Sequence, residues 1–196
     1  MQEQVLGLYD AAGQRKYLTA GEREAFLRAA EQAPRETRTL CLVLAYTGCR
    51  ISEALALTAD RVDLEAGTVI FSSLKKRRAG VYRAVPVPRS VIDALDLAHD
   101  LRAVQKAGTS SRYRLWTWGR TTAWRRVQEV MRPAGLCGPH ASPKGLRHGF
   151  GVQAVGKGIP LNMVQKWLGH AQLSTTAIYA DALGAEEHRI ATKMWE

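Results

Sequence analysis

One stretch of the chain, and only one, switches from a helical to a period-two hydrophobic pattern. Thr68-Val69-Ile70-Phe71-Ser72 and Val81-Tyr82-Arg83-Ala84-Val85-Pro86-Val87 alternate as half-buried strands do, and a basic turn joins them. They predict a single small hairpin. Pro86 and Pro88 end its second strand or hold that strand at a sheet edge, because proline has no N–H to give to a ladder. Everything before and after returns to helical spacing. The expected fold class is therefore α+β, predominantly helical, with a small antiparallel β-sheet or hairpin on one edge.

The helices are marked by their ends. Thr19-Ala20-Gly21-Glu22 matches a capping box and opens a helix with Phe26, Ala29, Ala30 and Ala33 on one face. A second helix, over about 36–47, places Leu40, Val43 and Leu44 together and stops at Gly48, and a third starts at Ile51. After the hairpin, helices are expected over about 90–106 with Ser90 as cap, 120–132, 143–156 with Ser142 as cap and Pro143 at the first position, and 160–168. A short helix should hold Tyr179, and a last one should run over about 184–195. Residues 107–120 have no clear period and read as a mobile loop. Residues 1–17 read as a leader or linker, and 18–196 as one domain.

Charge narrows the partner. Twenty-eight Lys and Arg against 18 Asp and Glu give a formal +10 and a pI near 9.9, which favours a polyanion, with nucleic acid as the leading candidate. With 46% hydrophobic and 23% charged residues the chain is globular rather than disordered. Cys41, Cys49 and Cys137 are odd in number and lack metal-ligand spacing, so they read as reduced and mostly buried. The N-terminus lacks a signal pattern and the longest apolar run, "CLVLAY", is too short to cross a bilayer. A cytoplasmic protein without a membrane partner is expected.

Four segments carry residues suited to an anionic reaction centre. In "TGCRISEAL", Arg50 lies at a helix junction beside unpaired N–H groups, and Glu53 lies one turn on, placed to orient the guanidinium. In "SSLKKRRAGVYRAVPVP", Lys75, Lys76, Arg77 and Arg78 crowd the hairpin tip, where cations reach a phosphate backbone and a lysine can protonate a leaving oxygen. In "SPKGLRHGFG", Lys144 and Arg147 share one face of a helix's first turns, while His148 points elsewhere and reads as structural. In "WLGHAQLSTTAIYA", His170 follows a helix end and Tyr179 comes nine residues later; a phenol becomes a useful nucleophile among positive charges. Taken singly, each of these residues also fits a plain structural role.

Together, and in this chain order, the four segments resemble the tyrosine recombinases of the phage integrase family. "TGCRISEAL" resembles the first-arginine box, "LKK" the lysine segment, "KGLRHGFG" the second-arginine box and "WLGHAQLSTTAIYA" the segment ending in the nucleophile. The resemblance covers about residues 18–182. It implies Tyr179 as nucleophile, with Arg50, Lys75, Lys144, Arg147 and His170 as the other catalytic residues, Glu53 and His148 in support, and Lys76, Arg77 and Arg78 on DNA. Lys75 is preferred to Lys76 because it follows the strand directly.

Two features depart from the family pattern. Lys144 stands where most members have histidine, a substitution that the chemically similar type IB topoisomerases also carry. Only 17 residues precede the expected catalytic domain, so no N-terminal core-binding domain is expected here. That fits a member made of the catalytic domain alone, or a truncated chain.

The resemblance implies a site-specific DNA recombinase of integrase or invertase type, working through a 3′-phosphotyrosyl intermediate with no cofactor, metal or ATP. Implied partners are double-stranded DNA, further copies of the chain up to a tetramer on DNA, and accessory DNA-binding proteins at the nucleoid. A type IB topoisomerase-like relaxing activity and a catalytically silent DNA-binding regulator stay open as alternatives.

Overall fold

Thr19 and Glu22 form the expected capping box: the Glu22 N–H donates to Thr19 Oγ1 (3.3 Å), and the Glu22 carboxylate accepts from the Thr19 N–H (2.8 Å). That satisfies two N–H groups a helix start would leave open, a contribution of about 1 kcal/mol. It begins α1 (Ala20–Glu31) in a computed structural model that describes residues 7–72, 82–180, 192, 194 and 195. The next helix, α2 (Arg35–Thr47), is apolar on most of its circumference, burying Leu40, Cys41, Val43, Leu44 and Ala45. A helix apolar nearly all round belongs in the interior. Here α2 packs against α1, α4 (Arg89–His99), α6 (Arg120–Met131) and α7 (Pro143–Gly156).

After the short α3 (Ile51–Leu55) come the strands β1 (Val62–Asp63), β2 (Thr68–Ser72) and β3 (Tyr82–Pro86), antiparallel in the order β1-β2-β3. Val69 pairs with Val62 on one side and Val85 on the other. Alternation sends Val69, Phe71, Arg83 and Val85 inward, so one arginine shares the apolar face of the sheet. β3 leans on α8 (Leu161–Leu168). A large core under α2 is joined by a smaller cluster of Leu8, Val152, Ala154, Val164, Leu168 and Tyr179.

Several expectations are corrected. The single helix over 90–106 is two, α4 and α5 (Leu101–Lys106), broken at Asp100 in the left-handed region (φ 52). Pro88 rather than Ser90 is the cap of α4. The break lets Leu95, His99 and Leu101 all face inward, and aspartate tolerates that backbone better than most residues. The stretch before α6 is strapped down rather than mobile. Trp116 is buried and its indole N–H donates to the Glu36 carbonyl (2.9 Å), while the Leu115 N–H donates to Leu57 (3.1 Å) and the Ala59 N–H to Tyr113 (2.9 Å).

Cys41 and Cys49 are buried and free, whereas Cys137 is exposed. Tyr179 lies just beyond α9 (Ser174–Ala177), in a turn. The helix expected over 184–195 lies almost wholly outside the described residues. Among the described residues no helix is long and apolar enough to cross a membrane.

Candidate active site

Arg50 is the N-cap of α3, and Glu53 holds it twice: the Arg50 N–H donates to Glu53 Oε2 (2.8 Å) and Arg50 Nη1 donates to Oε1 (3.0 Å). The same carboxylate, 4% exposed, receives Arg83 from β3, with Nη2 at 2.6 Å and Nη1 at 3.3 Å. Burial alone would push the Glu53 carboxyl up, but the Arg83 hydrogen bond and charge, with Arg50, outweigh it and hold it below the usual carboxylate range. Arg83 Nε also donates to the Trp167 carbonyl (2.8 Å), which closes the end of α8. Gly169 follows at φ 67, and a Cβ there would meet Arg83 Nη1 at 2.9 Å, so glycine serves both the left-handed cap and the close approach. One buried ion cluster thus fixes α3, β3 and the α8 end together.

Arg147 comes from the first turns of α7, which Ser142 caps by accepting the Gly145 N–H (3.1 Å). Its Nη1 donates to the Gly48 carbonyl (2.7 Å) and its Nη2 to the Leu168 carbonyl (2.8 Å), tying the ends of α2 and α8. The residue is 7% exposed, and burial first, then the charges of Arg50 and Arg83, push its guanidinium down to about 10. A buried cation among cations is costly, and an entering anion relieves that cost.

His170 leaves α8 through Gly169, with Nδ1 2.9 Å from Thr176 Oγ1. Burial, followed by Arg147 and Arg50, lowers it to about 3, so it is neutral near pH 7 in the free protein. Its ring stacks on that of Tyr179, with centroids 6.1 Å apart and planes at 18°. Tyr179 is only 2% exposed, and its hydroxyl lies 3.3 Å from His148 Nδ1. The seat exists because residue 151 is glycine: a Cβ there would lie 2.6 Å from the Tyr179 ring. Burial raises the phenol above its ordinary value, against the lowering effect of Arg147 and Arg50.

Arg50, Lys144, Arg147, His148, His170 and Tyr179 line one cleft of about 520 Å3. Glu53 stands behind it. Arg120 and Trp124 of α6 complete the wall, and the lining contains no carboxylate among the described residues. Such a surface suits a phosphodiester, with a phenol oxygen placed beside guanidinium donors. Lys75, Lys76, Arg77 and Arg78 lie outside the described residues, in the segment between β2 and β3.

His148 does not point away, as its position after Arg147 suggested. Tyr179 folds back across α7 and meets it. Three further residues were missed. Arg83 could have been found from its phase in β3, which matches Val85. Arg120 and half-exposed Trp124 stand at i and i+4 on α6, along the border of the face that buries Ala123 and Val127.

A family model described as "Phage integrase family" matches residues 16–186. "Tyrosine recombinase XerD" of Mycobacterium leprae (strain TN) is 34% identical over 153 residues, which is 72% of this chain and 46% of that protein. Among solved structures, XerA recombinase superposes with a TM-score of 0.74 at 26% identity, covering 91% of this chain and 64% of that one. XerH recombinase bound to palindromic difH substrate, in a post-cleavage complex, gives 0.74 at 25% identity over 98% and 57%. The chain spans about half the length of the curated relative it matches.

Proposed function

The chain belongs to the phage integrase family, and on that premise we propose that it is a site-specific DNA recombinase that cleaves and rejoins double-stranded DNA through a 3′-phosphotyrosyl intermediate. The observation that carries this is the seating of Tyr179 in one cleft with Arg50, Arg147 and His170, with no carboxylate among the described lining residues. Tyr179 Oη attacks the phosphorus and the 5′-oxygen leaves. Arg50 and Arg147, with Lys144 at the cleft mouth, neutralise the non-bridging oxygens as charge develops on them. Neutral His170 serves as a further donor through Nε2 in the tautomer whose Nδ1 accepts from the Thr176 hydroxyl, 2.9 Å away. Lys75 protonates the leaving 5′-oxygen, and Lys76, Arg77 and Arg78 follow the backbone beside it.

Because one phosphodiester is exchanged for another, religation by a 5′-hydroxyl of a second strand needs no nucleotide. The cations do what a divalent ion does elsewhere, so adduct formation should persist in EDTA. Exchange between two duplexes calls for four such centres, hence assembly up to a tetramer on DNA, with accessory DNA-binding proteins and a cytoplasmic, nucleoid-bound site of action.

The test uses a pool of nicked duplexes of randomised sequence, from which protein-linked strands are recovered after SDS treatment and sequenced. A defined consensus linked through the 3′-phosphate is expected. Failure of the wild-type protein to link any duplex contradicts the reading.

A further inference from the structure

A phenol that attacks phosphorus must lose its proton, and burial makes the Tyr179 phenol a weaker acid than usual. Among the described residues, most groups around it in the cleft cannot accept one. Arg50, Lys144 and Arg147 are cations without a lone pair to offer. His170 lies nearly parallel to the Tyr179 ring, so it presents its face to the phenol, and its Nδ1 is engaged with Thr176. His148 is different. Its Nδ1 is 3.3 Å from the Tyr179 hydroxyl, a distance at which an unloaded site can hold a catalytic hydrogen bond that tightens with substrate. Its Nε2 is buried and has no hydrogen-bond partner among the described residues, so the Tyr179 contact alone chooses the tautomer.

We propose that His148 Nδ1 is the base that takes the Tyr179 proton, an assignment that rests on the recombinase reading above. As Oη bonds to phosphorus, its O–H bond breaks and the proton passes to Nδ1; the bond from phosphorus to the 5′-oxygen breaks, and that oxygen takes its proton from the lysine donor. In religation the His148 imidazolium returns the proton to Tyr179 Oη as the phosphotyrosyl bond breaks.

The groups facing His148 are Lys144 and Arg147 of its own helix, Lys16 from the N-terminal segment, and Tyr179 and His170 from the C-terminal one. Burial, then Lys144 and Arg147, hold it near 4 in the free protein. A phosphodiester anion entering between those cations offsets their charge and strengthens the base where and when it is needed.

The test is single-turnover adduct formation on a nicked duplex recovered as above. His148→Ala and His148→Gln should each lose a factor on the order of 10²–10⁴, although glutamine keeps a hydrogen-bonding group of similar reach. The wild-type rate should level off with rising pH, whereas both variants climb about tenfold per pH unit toward the phenol's own ionisation. Added imidazole should restore His148→Ala alone. A merely structural role moves neither the pH profile nor the imidazole response, and glutamine would supply it. Wild-type cleavage by His148→Gln overturns the assignment, as does an alanine deficit that imidazole leaves untouched with a pH profile parallel to wild type. Should alanine unfold the protein, the glutamine rate and its pH profile decide. Absence of any adduct with wild type overturns the recombinase reading instead, and the base assignment with it.

Discussion

Tyr179 shows how a single absent side chain can seat a phenol. Gly151 leaves the room that the phenol ring fills, and a Cβ at 2.6 Å from that ring has no free space. Gly151→Ala should therefore displace Tyr179, with thermal unfolding reporting a loss of about 1–3 kcal/mol, the range for overpacking, and adduct formation falling further than stability does. Arg147 carries two duties at once, bridging the Gly48 and Leu168 carbonyls while facing the cleft. Arg147→Ala should lower single-turnover cleavage by a factor on the order of 10²–10³. Arg147→Lys should restore little, because an ammonium lacks the planar fork that spans two carbonyls. Arg50, Arg147, His170 and Tyr179 do share one cleft, a grouping that the sequence suggested only through the chain order of the four segments, since singly each also fits a structural role. His148 was misread for a geometric reason: stepping along α7 places it about 100° from Arg147, but the chain after α8 turns back and brings Tyr179 round to that side.

At the scale of elements, the Arg83 to Glu53 pair ties the strand that follows the basic segment to the helix that presents Arg50. It joins β3 to α3, and its bond to the Trp167 carbonyl adds α8. Arg83→Ala would leave Glu53 buried with Arg50 as its one remaining cation among the described partners, and denaturant unfolding should report a loss of about 3–5 kcal/mol. An unchanged midpoint would show that the pair is not coupled to the fold. The starts of α1 and α7 were readable to the residue because their capping signals are local, whereas α1 ends at Glu31, short of Ala33. The break at Asp100, the strand β1 and the anchoring of Trp116 were not, since each depends on partners far along the chain, as Trp116 does on Glu36. Arg83 fell between the two: its alternation was local, but its partners Glu53 and Trp167 lie 30 and 84 residues away, so nothing beside it singled it out.

For the molecule as a whole, the buried histidines set the response to acid. His99 is lowered to about 4 by burial beneath Trp116 and beside Thr39, His148 to about 4 and His170 to about 3. Each binds a proton in the unfolded chain near its ordinary value of about 6.5 and resists it when folded, so the unfolded state takes up more protons between those values. Stability is therefore full near neutral pH and falls as pH drops through about 6.5 toward 4. Glu22, held to about 2 first by Arg15, and Glu53, also lowered, act in the same direction, because their stabilisation disappears as pH falls below the unfolded carboxylate range.

Urea unfolding at acidic and neutral pH should show this loss. His99→Leu should flatten it, since Thr39 Oγ1 keeps its bonds to the Arg35 and Glu36 carbonyls. A pH dependence in His99→Leu equal to wild type would exclude the histidine as its source. The fold class and the basic character were legible from patterning and composition. The absence of carboxylates among the described lining residues was not, because it is a property of separated segments brought together.

The claim on which the rest depends is that the Tyr179 oxygen forms the bond to DNA. Trapping the wild-type protein on a recovered nicked duplex, digesting protein and DNA, and sequencing the nucleotide-bearing peptide by mass spectrometry tests it directly. The account predicts a 3′-nucleotide on Tyr179 and no adduct with Tyr179→Phe, which still binds the duplex. A nucleotide on any other residue, or an SDS-resistant adduct formed by Tyr179→Phe, would contradict it.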